Sequence, residues 1–370
     1  MAKLQILILL TFLLDLSQTS LAESAISATN PATEIIQPYQ ARAGHTRPLI
    51  AVIAENRMTE LVDFVVPYGV LSQANIADVL ALSTQSGPVQ MMPALQLQTQ
   101  ATVAEFDQQH PEGADYLIVP AVHYSDDPLL VRWVKAQADK GAIIVGICDG
   151  VLVLGNAGLL QGRRATGHWH SQSLRENDFP STHWLKNIRY VADGNIISTA
   201  GVSAALPVSL ALIEAIGGSE RANLVARQLG VRDWSAKHDS EVFEFSSLDY
   251  LVAARNLLSI WEHQQLGIPV VAGFDEVALA LRADAYARTF RSTVSAVAVN
   301  AQPITSRHGL MLLPETNDAQ TDREMLPAAS ADTSAVSALD RALLELKTRY
   351  GDNTTRLVAL QLEYPQTGAQ

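Results

Sequence analysis

Short apolar runs alternate with stretches of helical spacing along most of the chain. Residues 48–54, 115–120 and 141–147 are rich in Ile, Val and Leu without polar alternation, which predicts strands buried on both faces of a sheet. Residues 67–82 carry apolar side chains at Val70, Leu71, Ala74, Ala77 and Leu80, the spacing of a helix. Residues 129–140 predict an amphipathic helix stopped by Gly141, and residues 151–158 predict another just after the third buried strand. One or two short strands fit residues 89–97. Strands alternating with helices predict an α/β fold with a parallel sheet covered on both faces, its active residues at the carboxyl ends of the strands.

The later part repeats this pattern more loosely. Residues 292–300 and 309–314 echo the order of residues 88–97 and 114–120, and a helix over 336–350 and a strand over 355–362 continue the echo. This predicts a smaller, degenerate α/β half-repeat over residues 265–370. A bridging segment over 233–264 contains a helix predicted at 246–264, and residues 314–334, rich in Asp, Thr, Ser, Ala and Pro, predict an exposed loop.

The start of the chain adds a compartment. Lys3, the apolar residues 4–14 and Ser20-Leu21-Ala22 have the form of a secretory signal, so residues 1–22 are expected to be removed and the protein to be periplasmic or secreted. Asp15 after the apolar run keeps an uncleaved anchor open as the rival. Residues 23–46 are polar and irregular, a flexible lead-in.

Charge and cysteine content narrow the chemistry. The 370 residues carry a formal charge of −12, which argues against partners that need a basic face, nucleic acid and anionic membranes among them. No phosphate-binding glycine loop and no cysteine and histidine cluster at zinc spacing is present, so no cofactor or metal is expected. A single cysteine, Cys148, excludes an internal disulfide.

Cys148 stands where the strand ending at Ile147 turns into the helix beginning near Gly150. Such a hinge lifts a nucleophile above the sheet and points the first free N–H groups of the helix at it, which favours the reactive thiolate. A small buried apolar residue is the alternative.

Residues 148–169, from Cys148-Asp149-Gly150 to Thr166-Gly167-His168-Trp169, together with residues 195–203, resemble the ThiJ/PfpI superfamily of the class I glutamine-amidotransferase-like fold. The branch nearest in pattern holds isocyanide hydratases and the sensor domains of AraC-type regulators. The resemblance covers about residues 48–230 and implies a flavodoxin-like doubly wound sheet over 47–232 with a cysteine elbow. It further implies Cys148 as the nucleophile and Asp63, four positions before Pro67, as the carboxyl group that shares its proton; a helix cap is the other role open to Asp63. Asp149 would lend its backbone N–H to an oxyanion hole. His168 falls where several members place a histidine near the thiol, and His170 forms a His-x-His pair with it that is too small a donor set for a metal.

There are departures from the family pattern. Where the enzymes carry Pro-Gly-Gly after the strand matching residues 115–120, this chain has Pro120-Ala121-Val122-His123, which restricts the turn; His123 is a candidate to enter the pocket in their place. Residues 265–370 lack the basic recognition helices of the AraC-type relatives. Two functions stay open: a cysteine-dependent hydrolase or hydratase-like enzyme acting on a small electrophile, and a non-catalytic ligand-binding or redox-sensing module. Either takes a small molecule as partner, with a homodimer as the assembly the resemblance allows.

Overall fold

The computed structural model describes residues 34–42, 44–45, 47–316, 322–328 and 333–365, so the expected signal at 1–22 lies outside the described residues. From β1 (Leu49–Ala54) the chain passes through β2 (Thr59–Glu60) into α1 (Leu61–Ala74) and returns to β3 (Asp78–Ser83). A hairpin of β4 (Val89–Met92) and β5 (Gln96–Gln98) and an edge strand β6 (Ala101–Thr102) lead to α2 (Val103–Gln109) and β7 (Tyr116–Val119). Then come α3 (Pro128–Asp139), β8 (Ile143–Gly146), α4 (Gly150–Asn156), and the short pair β9 (Arg164–Ala165) and β10 (His183–Trp184) with α5 (Gln172–Asp178) between them. Strands β11 (Tyr190–Asp193) and β12 (Ile196–Thr199) finish the sheet, followed by α6 (Ala205–Gly217) and α7 (Ser219–Leu229).

The main sheet has the order β11-β12-β8-β7-β1-β3-β6, parallel except for β11 against β12. Its inner five, β3-β1-β7-β8-β12, follow the flavodoxin-like order 2-1-3-4-5. Alternate residues of β1 explain why it lacks polar alternation: Ile50 and Val52 face the core under α1 and α6, while Leu49, Ala51 and Ile53 face the core under α2, α3 and α4.

Several elements differ from the sequence reading. The helix expected over 67–82 is instead α1, six residues earlier, followed by strand β3. Pro67 looks like a helix start, yet Glu60 caps α1 and Pro67 lies inside it, while Asn75 in the left-handed region ends it and frees residues 78–83 for the sheet. The lead-in is not loose where it is described: Glu34 pairs with Arg164, Ile36 is buried, and the Tyr39 N–H donates to the Ala215 carbonyl at 2.9 Å.

The later part begins with α8 (Ser247–Leu258), shorter than the helix expected over 246–264, because Gln264 already opens strand β13 (Gln264–Pro269). After α9 (Glu276–Ala287) and β14 (Ser292–Ala298) come four short strands, β15 (Ile304–Thr305), β16 (Met311–Leu312), β17 (Glu315–Thr316) and β18 (Arg323–Met325). The last two lie inside the segment read as loop. Two helices follow, α10 (Ala335–Tyr350) and α11 (Asp352–Leu362), and the second of these replaces the strand expected over 355–362. A short apolar run buried on nearly all sides has no period that separates strand from helix, and every residue of 354–362 except Arg356 is buried.

Strands β17-β14-β13-β18 form a second parallel sheet. The two parts are interlocked: β16 pairs antiparallel with β5, α9 packs along α1, and one apolar cluster runs from β1 and α1 through α9 to α10 and α11. Among the described residues, no helix is long and apolar enough to cross a membrane.

Candidate active site at the Cys148 elbow

Cys148 lies just beyond β8, at a left-handed φ of 55° that a non-glycine residue adopts only under strain of about 1–3 kcal/mol. Its N–H donates to Thr199 Oγ1 at 3.0 Å, which ties the elbow to the carboxyl end of β12. The turn is tight enough that α4 starts against the end of β7. A Cβ at position 150 would sit 2.0 Å from the Val119 carbonyl oxygen, so only glycine fits there.

Asp63, in the first turn of α1, is fully buried beneath this elbow. Its Oδ2 accepts the Ala121 N–H at 3.2 Å, whereas Oδ1 has no hydrogen-bond partner among the described residues. The backbone donor at the position of the altered Pro-Gly-Gly motif is therefore spent on a carboxyl group of the protein. Next to Asp63, Glu60 accepts the Asp63 N–H and Arg288 Nη2, each at 2.5 Å, and Arg288 Nε donates to Asp284 at 2.7 Å. The helix-cap role open to Asp63 is filled by Glu60 instead.

Three buried carboxyl groups around one guanidinium cannot all hold a charge cheaply. Burial, and after it the charge of Glu60, raises Asp63 well above the usual carboxylate range, and the Ala121 N–H and Arg288 only partly offset this. Burial and Asp284 push Glu60 up to about 7. The Cys148 thiol is likewise driven well above its ordinary value, first by burial and then by Asp63, Asp149, Glu60 and Glu363. The thiolate expected from the helix start is not favoured here: the thiol is 5 % exposed, and the carboxyl groups outweigh the few N–H groups of a seven-residue helix.

A carboxyl group whose folded pKa is raised binds more protons in the native than in the unfolded state between its two values, so its contribution to stability falls as pH rises through that window. Relative to Glu60→Gln, which keeps the cap, the wild-type protein is expected to lose stability between about pH 5 and about pH 8. Urea unfolding of both proteins across that range checks this, and parallel pH profiles would remove the assignment.

Residues from the far end of the chain cover the elbow. Glu363, at a left-handed φ of 50° after α11, is 1 % exposed; it accepts the Trp169 N–H at 3.1 Å and His238 Nε2 at 2.7 Å. Burial alone would raise its pKa, but the His238 hydrogen bond and the proximity of His168 hold it below the ordinary value. Gly201 is required beside it, since a Cβ there would lie 2.6 Å from the Glu363 carboxyl carbon and 2.7 Å from the His168 ring.

The other expected residues divide. Asp149 does not cap α4 with its side chain, which instead accepts the Ser171 hydroxyl. His168 takes the His170 N–H at Nδ1 (3.2 Å), so Nε2 carries the proton and donates to the Gln361 carbonyl at 3.2 Å. One ring nitrogen is thereby engaged within its own turn and the other by the cover. His123 packs its ring against Tyr124, and its backbone N–H donates to the Met58 carbonyl. Glu60, Thr199, Asp284, Arg288 and Glu363 were not foreseen. The Asp284 and Arg288 pair at i, i+4 in an otherwise alanine-rich helix is the one local signal for them. Among the described residues, no group of three or more His, Cys, Asp or Glu side chains is arranged to hold a metal.

The model of the DJ-1/PfpI family matches residues 49–215. Isonitrile hydratase of Pseudomonas putida is 35% identical over 105 residues, 28% of this chain and 44% of that protein. The HTH-type transcriptional regulator CdhR of Pseudomonas aeruginosa is 30% identical over 133 residues, 36% of this chain and 39% of that protein. The chain thus spans less than half the length of these two relatives. The crystal structure of Drosophila melanogaster DJ-1beta aligns over 51% of this chain and all of its own with a TM-score of 0.46 and 20% identity. Over residues 49–215, this chain carries a domain of the DJ-1/PfpI family.

Proposed function

We propose that the protein is a cysteine-dependent enzyme of the hydratase or hydrolase type, acting on a small electrophile. The observation that carries this reading is Asp63 Oδ1, a carboxyl oxygen fully buried beside a strained cysteine with no partner among the described residues. Such an atom costs about 1–3 kcal/mol in a core, a cost that a binding or catalytic role explains. In the proposed step the Cys148 sulfur adds to the electrophilic carbon. Asp63 gives its proton to the substrate atom that gains the electron pair and takes up the thiol proton, and water then releases the product. Burial raises the Asp63 carboxyl group, so it can hold the proton that this exchange gives and takes. The likeness to isonitrile hydratase supports the substrate class. The pattern of residues 3–22 supports action outside the cytoplasm.

The test is an electrophile panel of an isonitrile, an aldehyde and an acyl ester, read by product formation and intact mass. At least one member is expected to add its mass to the wild-type protein and not to Cys148→Ala, with turnover reduced about a hundredfold or more in Asp63→Asn. Turnover unchanged in Cys148→Ala would overturn the reading.

A second reading, a ligand-binding or sensing module without turnover, is favoured by the closure of the site and by the use of the Ala121 N–H inside the protein. Its mark would be a raised Tm with ligand in both wild-type and Cys148→Ala proteins and no product in either.

A further inference from the structure

A cavity of about 280 Å³ lies in the later part of the chain, between α9, α10 and the carboxyl end of β13. Open parallel sheets bind ligands outside the carboxyl ends of their strands, and β13 pairs in parallel with β14 along its whole length. The walls are mostly apolar, with Ile268, Val270, Phe274 and Leu279 among them.

The charged groups set into this apolar wall are unevenly matched. Arg282, Arg307 and Arg341 face Asp275 and Glu345, one more cation than anion in a chain with a net charge of −12. Asp275 caps α9 by accepting the Ala278 N–H and also receives Arg307. Arg282 donates to the Pro327 carbonyl at 2.6 Å, and its other Nη is 3.7 Å from Glu345. Arg341, on the exposed side of α10, donates no hydrogen bond to the described residues and forms no ion pair with them. Among the described residues, the wall therefore supplies one guanidinium without an ion-pair partner beside an apolar chamber.

We propose that this cavity is a binding site for a small amphipathic monocarboxylate, with its chain against the apolar wall and its carboxylate on Arg341 at the rim. At about 30 Å³ for each water-sized group, the chamber holds roughly nine non-hydrogen atoms, the size of a medium-chain acid. Guanidinium recognises carboxylate by paired charge-assisted hydrogen bonds, which neither an alcohol nor an amine can reproduce.

Titration calorimetry of the full chain with octanoate, octanol and octylamine tests this. Octanoate is expected to bind saturably, with octanol and octylamine at least about tenfold weaker. Arg341→Gln, at an exposed position, should weaken octanoate about tenfold and leave octanol unchanged. Ala278→Leu should fill the chamber and abolish binding of both. Cys148→Ala should bind octanoate as the wild type does, which separates this site from the cysteine chemistry. Equal affinity for octanoate and octanol, no effect of Arg341→Gln, or no saturable octanoate binding in the millimolar range would each overturn the proposal.

Discussion

Gly150→Ala is expected to destabilise the protein by on the order of 4 kcal/mol, lowering its Tm by roughly 8 °C or more. The added methyl group would meet the Val119 carbonyl oxygen at 2.0 Å and the Pro120 carbonyl carbon at 2.9 Å, and both neighbours are backbone that cannot rotate away. Relief requires α4 to back off from the end of β7, which would pull Cys148 from Thr199 and disturb the cores on both sheet faces. Urea and thermal unfolding followed by circular dichroism read the cost. A loss below about 1 kcal/mol would mean that the elbow is held loosely and that its geometry carries no constraint.

Cys148 in the folded protein is expected to react with iodoacetamide at least about a hundredfold more slowly than a free thiol at neutral pH. Each unit by which the thiol pKa rises removes tenfold of thiolate, and burial adds the cost of opening. Displacing all of α11 is an expensive way to open the site. Leu357, Val358, Leu360 and Leu362 each bury a side chain worth roughly 1.5–3 kcal/mol, so lifting the helix costs on the order of 6–12 kcal/mol. The cheaper route is local, at Glu363 and the Trp169 turn that it holds. Glu363→Ala should therefore speed alkylation by about tenfold or more without unfolding the protein, since it leaves the apolar face of α11 in place. Alkylation of the wild-type protein at the rate of a free thiol would show an open, ionised elbow and remove this picture.

The parts of the fold legible in the sequence are those whose burial is imposed by neighbours on both sides. Strands β1, β7 and β8 lie in the middle of a covered sheet, and continuous apolar runs announce them. Helix α1 was displaced in the reading because Pro67 suggested a start, whereas burial around the whole helix removes the polar stripe that would have marked its true extent. Strand β13 begins with two glutamines and alternates poorly, so it blended into the preceding helix. At the site, Cys148 and Asp63 could be named because a local turn and a motif position mark them. Arg288 and Glu363 could not, since their partners lie 228 residues away at Glu60 and 194 residues away at Trp169, beyond any local period.

The pairing of β5 with β16 and the seating of α9 along α1 have a consequence for how such a chain can change over generations. The Tyr68 hydroxyl donates to the His308 carbonyl, and Arg288 neutralises the carboxyl group that caps α1. The segment shared with the family is therefore not a removable cassette. Losing the later half would strip an apolar flank from α1 and leave Glu60 and Asp63 without their guanidinium, and importing a different half would require a new cation at the same place. A substitution at Glu60, Asp63 or Arg288 is therefore felt in both halves of this chain, and the contacts on the two sides of residues 233–264 constrain one another.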